Sequence, residues 1–461
     1  MESSEELDTW RYVIMLAKFM MHFLHIGLIR SLSVLIPYLA FQLDMEYSTS
    51  GFLVTLQAGI YYIACPASCY LAHKFGCRRV TVISCFLSTI SLLAGSFSQS
   101  ATFLGCSYFL TGLFSSPLRQ MSNEMLPQHY GKHGYGFAQT VTQLGSQVGS
   151  FLMPYIIVFT LDAYGVRGSL FFLSAMVFHG VPIAATLRPP RLPQGPSETN
   201  SSIRGDGDGP ELEPLQTGDE LESPTSKEES VDLENDNGLK KKEDQIPQHL
   251  KVDMFRSMIH QTFDFFKEEL VFTFLLLPCQ ILFDITFAGW EVFLFSYGIT
   301  EGLSKDKAVY TVMMGSIGGL VGRFSLIAIL YKFPLVTLYL VALNMGIVSV
   351  TLLVYPINSS LTYLAICSFF AGFGFFNAFS SFYGAVSLLV GKDNFPKAIA
   401  CSLMLCGISY LLSGILTGSM YDLFGSYRAV FRVLGIMSGA ASSAITIYIC
   451  VDYSRNKNKS L

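Results

Sequence analysis

Apolar residues run through this chain in stretches of about twenty separated by short polar breaks, the length a helix needs to cross roughly 30 Å of hydrocarbon at 1.5 Å per residue. By that measure, spans fall near 13–41, 51–73, 79–98, 101–125, 134–160 and 169–188. A second set falls near 270–298, 308–331, 334–355, 361–390, 397–420 and 429–451. The pattern predicts an all-α membrane protein with twelve transmembrane helices in two six-helix halves. The N-terminal half covers 1–188, a linker covers 189–266, and the C-terminal half with its tail covers 267–461. The opening segment, Met1 to Trp10, is short and acidic with no cleavable signal pattern, so the first span is expected to stay as a helix.

Composition supports this reading. Hydrophobic residues make up 51% of the chain and charged ones 14%, where a soluble chain carries about a quarter charged. The net charge of −4 comes from the linker: between Pro189 and Lys251 stand 15 acidic and 7 basic residues. The rest of the chain is net basic, and no nucleic acid partner is implied. Rich in Pro, Gly, Ser, Glu and Asp, the linker cannot bury enough apolar surface to order itself and is predicted to be disordered. Towards its end Phe255, Met258, Ile259, Phe263 and Phe266 recur at helical spacing. They predict either an interfacial helix or an extension of span seven.

Lysine and arginine in short loops set the orientation. With the N-terminus inside, the inner loops and tail receive Lys74, Arg78, Arg79, Lys132, Lys332, Lys392, Lys397, Arg455, Lys457 and Lys459. Outer loops receive only Arg167, Lys305, Lys307 and Arg428, so both termini are expected in the cytoplasm. The ten cysteines form no C-x-x-C, and no metal site, cofactor or disulfide framework is indicated. A Walker loop, H-E-x-x-H and G-x-S-x-G are all missing, which argues against an enzyme and against ATP as an energy source.

The chain also repeats itself. Gly131-Lys132 precedes span five and Gly391-Lys392 precedes span eleven; Asp162-x-x-Gly165 follows the first and Asp422-x-x-Gly425 the second, each 31 residues on. Parallel six-helix repeats are a known plan for transporters.

Several segments resemble the monocarboxylate transporter family of the major facilitator superfamily. They are His129-Tyr130-Gly131-Lys132-His133 with Gly136-x-Ala138 and Gly145-Ser146-x-x-Gly149, Gly165-Val166-Arg167-Gly168-Ser169, Ser296-Tyr297-Gly298, and Tyr421-Asp422-x-x-Gly425-x-Tyr427-Arg428. The resemblance covers nearly the whole chain except the linker. It implies the major facilitator fold, carriage of a small organic anion through the plasma membrane, and possible escort by a single-span immunoglobulin-type chaperone. Two departures stand out. The family's transport lysine aligns with Arg30, and the acid of its proton-coupled Asp-x-x-x-Arg in span eight is replaced by Gly319 in Gly319-x-x-x-Arg323. The second departure puts proton coupling in doubt.

Independently of any family, Arg30 and Arg323 lie deep in apolar spans, where an unpaired charge costs on the order of 2.5–3.5 kcal/mol even on gentle scales. Something must face them. A substrate carboxylate suits a guanidinium, which can grip both its oxygens. The alternative is a helix lock with Asp284 or Glu291 of span seven, which share one helix face and are also candidates for a proton or gating role. His22 and His25 are candidates for a proton relay or for ordinary interhelical bonding. Gln139, Gln143 and Gln147 form a stripe on span five, and Asn377, Ser380 and Ser381 are candidate cavity liners. Arg119 and Glu124 are candidates for an inner gate. The expected function is a secondary transporter for a monocarboxylate or related anion. The alternatives are a transporter-shaped sensor or scaffold without flux, and a carrier of a zwitterionic or larger aromatic solute.

Overall fold

The computed structural model describes residues 2–188, 264–333, 336–391 and 394–459, with some helical stretches, 119–124 and 131–137 among them, described as backbone only. The linker from 189 to 263, with its expected interfacial helix, lies outside the described residues, as do the side chains of Arg119, Glu124 and Lys132. Residues Met1–Pro190 and Phe265–Leu461 form one compact unit.

Among the described residues the chain is helical, without strands. The elements are α1 (Glu2–Gln42), α2 (Tyr47–Ile63), α3 (Cys65–Phe75), α4 (Cys77–Gly95), α5 (Ala101–Phe178) and α6 (Gly180–Ala185). After the linker come a π-helical turn at Phe272–Leu276, α7 (Leu277–Thr300), α8 (Lys305–Lys332), α9 (Thr337–Val354), α10 (Leu361–Leu389), α11 (Phe395–Phe424) and α12 (Tyr427–Lys459).

Nine of the described helices are long and apolar enough to cross a membrane, ten if α2 and α3, bent by 44°, are one span. The remaining crossings are contained in α5. As a straight rod its 78 residues would reach about 117 Å. Instead, Thr160 Oγ1 donates to Ser169 Oγ at 3.3 Å, and His129 Nε2 lies 2.9 Å from the Arg188 carbonyl. The chain therefore folds back near Gly165, whose φ of +68° is left-handed. An earlier reversal follows from the neighbours: Gly105 and Gly112 pack on α2, whereas Gly145 and Gly149 pack on α1, which precedes α2 across a short turn. Among the described residues these reversals give twelve crossings, six before residue 189 and six after residue 263.

Apolar side chains face both inward and outward. Trp290, Phe293, Phe295, Leu32 and Leu35 are fully buried, whereas Phe159, Phe274 and Ile447 are largely exposed on the perimeter. In water such a surface would aggregate; in a bilayer it faces lipid tails. The halves meet along α2 and α11, α5 and α8, and α1 and α7. Small residues permit the α2–α11 approach, since a Cβ on Gly414 would fall 2.0 Å from Thr55 Oγ1.

Candidate substrate site between the halves

The two buried arginines differ in their surroundings. Arg30 on α1 is fully buried, with Nε 3.2 Å from Glu291 Oε1 and Nη1 donating to the Glu291 carbonyl at 2.9 Å. Its guanidinium lies 4.7 Å from the centre of the Trp290 ring, and Tyr410 on α11 donates to Glu291 Oε2 at 2.9 Å. A fixed carboxylate thus neutralises Arg30 and joins α1, α7 and α11. Of the two readings for Arg30, the geometry favours the helix lock over the substrate contact, because Glu291 already occupies the place a passenger carboxylate would take.

Arg323 on α8 has no such partner. Its Nη1 donates to Gln143 Oε1 on α5 and to Ser380 Oγ on α10 at 3.1 Å. Among the described residues it forms no ion pair, and its Nε has no hydrogen-bond partner. Two further amides pack on the same stretch of α8, Gln147 against Gly319 and Asn377 against Gly322. The Gln147 amide, 1% exposed, makes no hydrogen bond through either atom, and Asn377 Oδ1 is also unpaired. Neutral amides and a hydroxyl from both halves therefore surround a cation they cannot neutralise. Of the residues singled out in the sequence, Gln143, Gln147, Asn377 and Ser380 gather here.

The others are placed elsewhere. Asp284 accepts from Gln280 Nε2 at 3.2 Å within α7 and meets neither arginine. His25 stacks on Tyr61 with ring centres 3.5 Å apart, and His22 lies one turn earlier on α1. Ser381 is fully buried next to Ser380.

Sequence reasoning passed over Lys18. It is fully buried on α1, and its Nζ donates to Gln139 Oε1 at 2.5 Å. The signal was a lysine inside an apolar span, the same signal that singled out Arg30. The glutamine stripe of span five thus receives a cation at each of two successive turns, Lys18 at Gln139 and Arg323 at Gln143.

Phe376 occupies the space of the missing acid. A Cβ on Gly319 would fall 2.2 Å from Phe376 Cδ2 and 2.8 Å from Gln147 Oε1. Gly319→Asp is therefore expected to destabilise the protein by about 1–3 kcal/mol through overpacking. Thermal melting of the purified variant checks this, and Gly319→Asp with Phe376→Ala should recover most of the loss.

A twelve-helix body with an unneutralised cation at the meeting of its halves describes a membrane carrier rather than an enzyme. The chain belongs to the Major Facilitator Superfamily, whose sequence model matches residues 19–394. Its sequence relatives include monocarboxylate transporters. Mouse monocarboxylate transporter 9 is 24% identical, covering 97% of this chain and 94% of that protein. Mouse monocarboxylate transporter 11 is 27% identical over 43% of this chain, and the match spans 45% of its own length. Among solved structures, a POT family transporter in complex with a thioalcohol-conjugated peptide superposes with a TM-score of 0.68 at 12% identity, covering 95% of each chain. That likeness is one of fold.

Proposed function

We propose that this protein carries a small organic anion, a monocarboxylate or related solute, across the plasma membrane by alternating access, with Arg323 as the anion anchor. The carrying observation is a buried guanidinium held at the junction of the halves by Gln143 and Ser380 without a carboxylate. A charge so placed binds most strongly to a ligand that brings the missing negative charge. A site touched by both halves also couples binding to their relative movement. The carboxylate places its oxygens on the guanidinium fork, and the unpaired Nε2 of Gln147 donates a further hydrogen bond to it.

Transport is proposed to be proton-independent, because Gly319 leaves no acid one turn from Arg323 and Glu291 is committed to Arg30. The Phe376 ring also favours a bulkier, aromatic body on the anion, since it lines the wall where a proton-coupled member would place a carboxylate. The basic inner loops support cytoplasmic termini. An immunoglobulin-type chaperone is proposed from kinship with monocarboxylate transporters alone.

The test is uptake of radiolabelled lactate, pyruvate and larger aromatic carboxylates into expressing cells at two external pH values. Uptake above that of control cells, unchanged between pH 6 and pH 7.5, is expected. No uptake of any anion with the protein present at the surface would discard the carrier reading. Uptake that rises several-fold at pH 6 and acidifies the cytosol would discard proton independence alone.

A further inference from the structure

The repeated Asp-x-x-Gly motif has no part in anion binding, yet both copies reach across the junction of the halves. Gly165 and Gly425 share a left-handed backbone, with φ of +68° and +63°, so the two copies are equivalent in structure as well as sequence. Each follows the fifth span of its half and lies on the face opposite the chain termini. Asp162 Oδ1, in the N-terminal half, lies 2.6 Å from Lys305 Nζ at the first turn of α8. Asp422 Oδ2, in the C-terminal half, accepts from the backbone N–H of Ser48 at 3.0 Å, at the first turn of α2. Helix α2 has no side-chain cap of its own, so this carboxylate satisfies one of its free N–H groups from the opposite half. In both cases the aspartate that ends the fifth span of one half holds the start of the second span of the other.

We propose that Asp162 and Asp422 form a paired latch that shuts the face opposite the termini and must release for the carrier to open there. The two catches differ chemically. The Asp162–Lys305 catch is an ion pair between half-exposed side chains, with Tyr38 beneath the ammonium at 5.4 Å from its ring centre. The Asp422–Ser48 catch is a helix cap backed by aromatic packing: the Tyr47 ring centre lies 4.6 Å from that of Tyr421, and Tyr421 stacks on Tyr427 at 4.1 Å. Backbones come close there too, since a Cβ on Gly418 would fall 2.2 Å from Ser48 Cα. Charge is therefore essential to the first catch, whereas the second needs only a hydrogen-bond acceptor.

That difference makes the proposal testable without a substrate. Ser316 is buried between α8 and α5, with its Oγ 2.7 Å from Ser150 Oγ, and serves as a reporter when replaced by cysteine. The full chain carrying Ser316→Cys is placed in liposomes, and a membrane-impermeant cationic thiol reagent is applied on the face opposite a tagged C-terminus. Labelling is read against the same protein without the reporter. D162N should speed labelling about two- to five-fold, the worth of an exposed ion pair. The exchanged pair D162K/K305D should bring it back. D422A should speed labelling by a similar factor, while D422N, whose amide oxygen still accepts from Ser48, should leave it near the starting rate. Unchanged labelling in D162N and D422A, with melting temperatures retained, would overturn the latch. An increase in D162N that the exchanged pair does not reverse, or D422N behaving like D422A, would overturn it as well.

Discussion

Replacing Arg323 with alanine is expected to lower anion uptake about a hundredfold or more while leaving the protein folded and at the surface. The magnitude follows from the chemistry: truncating one partner of a buried, hydrogen-bonded charge pair costs about 2–5 kcal/mol, and each 1.4 kcal/mol is a factor of ten. The small effect on folding has its own reason. Among the described residues Arg323 has no fixed carboxylate to leave stranded, and its partners, Gln143 and Ser380, are neutral. Relieving a buried charge offsets part of the packing lost. Arg323→Lys separates charge from shape, since an ammonium keeps the charge but not the planar fork, and it should retain only a small share of uptake. Surface biotinylation beside initial-rate uptake checks both variants. Full transport by Arg323→Ala would move the guanidinium to a structural role and remove the main support for the carrier site.

The second large effect runs the other way, on stability first. Glu291→Ala strands the Arg30 guanidinium, fully buried beside Trp290, and breaking a buried pair in this way costs about 3–5 kcal/mol. A marked loss of monodisperse protein on heating is expected, read by size-exclusion chromatography after a temperature ramp. Removing both charges, with Arg30→Met and Glu291→Leu together, should recover most of the stability, because no unpaired ion remains. Arg30→Lys preserves the charge opposite Glu291 and should keep part of both stability and uptake. The pair also spans α1 and α7, one from each half, so its loss should loosen the junction where the carrier rocks. An equal loss in Glu291→Ala and in the double variant would show that packing at this position matters more than charge.

Particular residues show what could be read in advance. Arg30 and Arg323 gave the same signal along the chain, a guanidinium within an apolar span. One meets a carboxylate 261 positions away and the other an amide 180 positions away. Nothing local distinguishes them, because their partners come from the other half. Glu291 and Asp284 were equally available as lock partners, being a heptad apart on one helix face. Only Glu291 stands at the level of Arg30, while Asp284 turns to Gln280 on its own helix. Lys18 carried a legible signal that was passed over. Phe376 carried none, since a phenylalanine in an apolar span looks like lipid-facing or core residue alike until its ring is seen filling the space above Gly319.

The sequence by itself determined the helical membrane body and the repeat of Asp162-x-x-Gly165 at Asp422-x-x-Gly425. These follow from properties of neighbouring residues: apolar run length against bilayer thickness, and glycine where the backbone turns left-handed. Tertiary structure alone decided which arginine is neutralised, what fills the place of the absent acid, and that each repeated aspartate catches the opposite half. The physical reason is shared by all three. A side chain's charge and volume are encoded where it stands, but whether that charge is balanced or that volume occupied depends on helices brought together from the far side of the chain.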